Sequence, residues 1–100
     1  MNTASLQIEG LLVALAALAR GVANGEPDRQ RALETALAEA EQAVMGDSEQ
    51  GRRLSASQLD AVAFPIRYLA AAVRPEAAGL TFAEVTMGVG RSKPSRPPSG

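Results

Sequence analysis

The chain contains no histidine, no cysteine and no tryptophan. Histidine is the side chain whose ordinary pKa lies near neutrality, and cysteine supplies both a strong nucleophile and a soft metal ligand. Their absence removes most acid–base and nucleophilic constellations and almost every zinc site. It also removes a disulfide framework, which fits a reducing compartment. Aromatics are scarce, with Phe64, Tyr68 and Phe82 the full set. Apolar runs are short. The longest one without a charge, residues 10–19, is about half of what a bilayer-spanning helix needs. Glu9 precedes it, in place of the basic start of a signal peptide. These absences lead us to expect a soluble, cytoplasmic protein that is not an enzyme, carries no cofactor and no metal, and makes no membrane contact.

What the chain does have is alanine, twenty of its 100 residues. That length supports one domain around one core. Charge is nearly balanced overall but unevenly placed. Residues 1–90 hold seven basic and eleven acidic side chains, net −4, and residues 91–100 hold three basic and no acidic ones, net +3. The sequence therefore divides into a helical domain over residues 1–90 and a basic tail over 91–100. The tail consists of Arg, Lys, Ser, Pro and Gly and is expected to be flexible, because it has no apolar side chain to bury. An acidic body is a poor match for a phosphate backbone. Nucleic acid is thus not the expected partner, and only Arg91, Lys93 and Arg96 are placed to contact one.

Hydrophobic spacing predicts helices throughout. The first is expected to start with Thr3 as N-cap and to run to about Ala23, where Asn24-Gly25 supplies a left-handed stop. Ile8, Leu11, Leu15, Leu18 and Val22 recur at 3-4-3-4 spacing and are expected to face the core, with Leu12 and Ala19 widening the seam. The other side carries Gly10, Ala14, Ala17 and Gly21. A helix of this kind is either the central helix of a bundle or a homodimer contact through its small residues. The second helix starts at Pro27, buries a stripe of Leu33, Leu37, Ala40 and Val44, and is expected to end at Gly46 before a polar loop over residues 46–53.

The third helix has a capping box in Ser55 and Gln58, a staple in Leu54 and Leu59, and a seam of Leu59, Val62, Ile66, Leu69 and Val73. Arg74-Pro75 stops it. Pro65, inside it, costs about 3 kcal/mol and predicts a kink or a break near Phe64. Thr81 and Glu84 repeat the capping box and predict a short fourth helix to about Met87, although Val85, Met87 and Val89 also alternate as a strand would. The fold class expected is all-α, a small antiparallel helical bundle of three main helices plus a short fourth element.

Phe64, Arg67 and Tyr68, with Ala71, lie at i, i+3, i+4 and i+7 on the side of the third helix away from its aliphatic seam. Tyr and Arg bring large area with a polar handle, which makes these three the expected partner-binding residues. The competing role for Phe64 and Tyr68 is to pack under the fourth element beside Phe82. Asp60, Arg67 and Tyr68 form the one cluster suggestive of proton transfer, but a carboxylate beside an arginine stays ionised. Asp47, Ser48 and Glu49 lack the spacing of a calcium loop.

The stretch LTFAEVTMGVGRSKPSR, residues 80–96, resembles the first half of a helix-turn-helix. Its Leu-Thr start is followed by Glu84-Val85, and Gly90 stands where that family places its turn glycine. Arg91-Ser92-Lys93 would then open a recognition helix, but Pro94, Pro97 and Pro98 stand where that helix must continue. In size and composition the chain resembles phage-encoded inhibitors of bacterial defence complexes, anti-CRISPR proteins among them. The expected function is a small non-enzymatic interaction module that binds a partner protein or complex as an inhibitor or adaptor. The alternatives are a truncated helix-turn-helix-like DNA-binding regulator and a structural homodimer.

Overall fold

Helix boundaries fall where the sequence supplies caps. A computed structural model describes residues 2–47 and 54–92. These form four α-helices and one 3-10 turn, with no strand among the described residues: α1 (Thr3–Ala23), α2 (Pro27–Asp47), α3 (Ala56–Ala72), the turn (Pro75–Ala77) and α4 (Phe82–Ser92). The all-α class expected from periodicity is therefore what the chain adopts. Asn2, not Thr3, caps α1, its side-chain carbonyl accepting from the Ser5 N–H at 2.8 Å. At the other end Asn24 takes the left-handed conformation, φ 49°, and its N–H returns to the Arg20 carbonyl at 2.8 Å. Gly25 follows at φ 73°, and α2 opens two residues later on Pro27.

The capping box of α3 closes in both directions, with Ser55 Oγ accepting from Gln58 N–H at 3.2 Å and Gln58 Oε1 accepting from Ser55 N–H at 2.9 Å. Thr81 and Glu84 do the same for α4, at 3.1 and 2.8 Å. The break predicted at Pro65 does not occur: α3 continues through it to Ala72. The carbonyl that Pro65 leaves without its helical donor belongs to Ala61, which is exposed, so water can satisfy it. Arg74 then turns extended ahead of Pro75, as the residue before a proline must, and the 3-10 turn reverses the chain.

The fourth helix is longer than expected, reaching Ser92, and it excludes the strand alternative. Val85 and Val89, one turn apart, are both buried, while Met87 on the opposite side is exposed. Gly90 lies inside α4, and among the described residues the glycines with positive φ are Gly25 and Gly79. The turn that a helix-turn-helix needs at this position is absent. The C-terminal end of α2 lies one residue beyond Gly46, and the loop expected next, residues 48–53, falls outside the described residues, as do tail residues 93–100.

The central cluster joins three helices: Leu12 and Ala16 of α1, Tyr68 and Ala72 of α3, and Val85 of α4, with Phe64, Leu69, Ala71 and Phe82 packed around them. Much of the buried surface is alanine, including Ala23, Ala63 and Ala77, so helices approach closely with little side chain between them. The α2 stripe of Leu33, Leu37, Ala40 and Val44 is half-buried, as its narrow spacing predicts.

The seam assigned to α1 is the main correction. Ile8, Leu11, Leu15, Leu18 and Val22 are exposed, and the buried residues are Leu12, Ala16 and Ala23. The inward stripe is thus rotated by roughly 100° from the leucine seam, one residue's turn of the helix. Polar anchoring accompanies the rotation. The Arg20 guanidinium donates to the Ala72 carbonyl at 2.8 Å and Gln30 Nε2 donates to the Val73 carbonyl at 2.9 Å, so α1 and α2 together cap the C-terminal end of α3. That end carries no basic residue of its own, and a cation there complements both the orphan carbonyls and the helix dipole.

Leu12→Ala is expected to destabilise the fold by about 2–4 kcal/mol, and Arg20→Ala by about 1–2 kcal/mol through loss of the charged cap, both read from urea unfolding.

Candidate interaction surface

The three residues expected to meet a partner are placed by α3 toward other parts of this chain. Tyr68 is 3 % exposed and stacks at a tilt on Phe82 of α4, ring centroids 4.9 Å apart and planes at 35°. Phe64 is half-buried against the same cluster. Arg67 lies between two carboxylates, Nε donating to Glu41 at 2.8 Å and Nη1 to Asp60 at 3.3 Å, its side chain 16 % exposed. The contact with Glu41 fastens α2 to α3, and the pair with Asp60 spans seven residues of α3. The hydrogen bond to Glu41 is the main reason the Arg67 guanidinium holds its proton more tightly than an ordinary arginine, against a smaller opposing effect of burial. Asp60 is engaged with Arg67. Of the three basic residues considered for nucleic acid, Arg91 belongs to the last turn of α4, while Lys93 and Arg96 lie outside the described residues.

Burial also sets the chemistry of Tyr68. Removal of its ring from water raises its pKa above the ordinary 10.0, with the Arg20 charge pulling the other way and Glu9 adding to the rise. Both charges of α1 therefore act on the side of the helix that faces α3.

The surface left outward is α1's. Along it Leu6, Ile8, Leu11, Val13, Leu15, Leu18 and Val22 are all between 40 and 72 % exposed. Five of these form the 3-4-3-4 seam, and no charged side chain stands among them, since Glu9 and Arg20 are the only charges in the helix. The flank of Gly10, Ala14, Ala17 and Gly21 is also exposed, and nothing lies within 4 Å of where a Cβ would stand at Gly10 or Gly21. The most apolar 18-residue window of the helix has a mean hydropathy of 1.6, and the 21-residue helix is long and apolar enough to cross a membrane by length and composition. The uncharged run alone fell short of that length; the helix passes because two charges are outweighed by its aliphatic content.

A cleft of about 430 Å³ opens between α3 and α4, where Arg67, Ala71, Arg74, Leu80, Val85 and Val89 line it. Among the described residues no group of three or more acidic side chains converges as a metal site would require. Compared with known proteins, the chain matches no family model, no curated protein and no solved structure.

The leucine seam is fully written in the sequence, but its direction is not. Arg20 stays exposed while its guanidinium reaches the Ala72 carbonyl, and a contact with a residue so distant in the chain gives the helix no local mark of which side is dry.

Tyr68 is the one tyrosine of a chain without tryptophan, so its ionisation is directly visible by ultraviolet titration. Its midpoint is expected above 10.0. Because the folded pKa is raised, the stabilising contribution of the neutral buried ring is fully present below about pH 10 and is lost as pH rises through that higher midpoint. A midpoint at or below the ordinary value would show the ring to be solvated.

Proposed function

We propose that this protein is a small non-enzymatic interaction module that binds a partner protein through the outward face of α1. The single observation behind this proposal is the exposed, uncharged aliphatic seam from Ile8 to Val22. Soluble proteins seldom leave so large a contiguous apolar patch in water unless something covers it. The chain's lack of histidine and cysteine supports a binding role over a catalytic one. Phe64, Arg67 and Tyr68 serve the module indirectly, by fixing α2 and α4 on α3. In this proposal α1, α2 and α3 run as an antiparallel bundle, an arrangement favoured by the three-residue connection between α1 and α2.

Leu11→Glu combined with Leu18→Glu puts two charges on the seam without touching the buried cluster. The double variant is expected to keep the helical circular dichroism of the wild type and to lose at least about tenfold in capture of a protein partner from nuclease-treated lysate. Undiminished capture by the variant would overturn the assignment of the face. Capture that disappears on nuclease treatment would overturn the protein-directed role itself.

A further inference from the structure

We infer that the occupant of the α1 face is a second copy of this chain, paired antiparallel along the leucine seam, a pairing that presupposes α1 as the working surface. Three observations favour it.

The first is the spacing. The exposed residues Ile8, Leu11, Leu15, Leu18 and Val22 repeat at 3-4-3-4 intervals, with Ala4 extending the series by one step. This is the register in which side chains of one helix fit between those of another helix of the same period.

The second is area. The seam leaves on the order of 600 Å² of surface in water, which is the upper end of a single patch on a monomer and close to the roughly 800 Å² that each partner brings to a stable dimer. Flanking Ala14 and Ala19 supply part of the remainder.

The third is the placement of charge. An amphipathic helix that lies on a lipid surface carries lysine or arginine beside its apolar face. The α1 seam has none, and the neighbouring α2 is rich in glutamate.

The seam is nearly palindromic about Leu15. In a two-fold antiparallel pair Leu15 meets the partner's Leu15, Leu11 lies opposite the partner's Leu18, and Ile8 opposite the partner's Val22. Antiparallel helix dipoles add to the preference. The contact is isologous and closes on itself, so assembly stops at two.

Light scattering on the eluted protein across micromolar concentrations is the test, with a mass about twice 10.3 kDa expected. Leu11→Glu with Leu18→Glu is expected to weaken the dimer at least about 100-fold. A second measurement guards against a folding defect in that variant. The chain has no native cysteine, so Leu15→Cys should form a disulfide-linked dimer under mild oxidation, while Ala17→Cys, on the small-residue flank, should not. Cross-linking by Ala17→Cys in place of Leu15→Cys would overturn the seam assignment. A wild-type monomer at about 200 µM, well above the micromolar weak end of interfaces of this size, would overturn self-pairing. So would a monomer that cosediments with vesicles of phosphatidylcholine and phosphatidylglycerol, which would assign the face to lipid. A monomer that still captures another protein through a Leu11- and Leu18-dependent contact would overturn self-pairing and leave the interaction module standing; one that captures none would overturn both.

Discussion

The rotation of α1 about its own axis depends on the C-terminal end of α3. That end presents carbonyls with no helical donor and has no basic side chain in its own last turn. Arg20 from α1 and Gln30 from α2 fill the need by donating to the carbonyls of Ala72 and Val73. A charged donor at a helix C-terminus satisfies hydrogen bonding and the dipole together. With the Arg20 guanidinium bonded to the end of α3, the residues along the same side of α1 face that helix. Leu12, Ala16 and Ala23 become the buried stripe, and the leucine seam turns to water.

The aromatic pair explains why small residues sit under that cap. Tyr68 and Phe82 occupy the space where α1, α3 and α4 meet. With so large a side chain already in place, α1 must present Ala16 there, and α3 itself presents Ala72. A row of leucines on the same side would overpack the site. Arg67 completes the frame from the other side, holding α2 through Glu41 while its partner Asp60 comes from the same helix. Residues of the kinds that often make binding hot spots are thus used here to join helices, and the apolar area available to a partner is displaced to α1.

Local structure was legible residue by residue. Both capping boxes, the Pro27 start and the Asn24 stop were readable because each depends on groups within four residues of one another. Where local reading failed, a local competitor or a distant partner was responsible. Asn2 displaced Thr3 as cap because its side-chain carbonyl reaches the Ser5 N–H. Pro65 left α3 continuous, and the residue whose carbonyl it orphans, Ala61, is exposed, where water can take the place of the missing donor. Val85 and Val89 took helical over strand spacing because a capped start and burial one turn apart act together.

The sequence by itself determined that this chain is helical, where most of its helices begin, and that it carries an uncharged leucine seam at coiled-coil spacing. Those properties are set by backbone propensity, capping and periodicity, all of which act over a few residues. The tertiary structure alone decided which side of that seam would be dry. That choice turns on a hydrogen bond between residues 52 apart in the chain and on the volume of an aromatic pair drawn from two helices, and neither has a local signature.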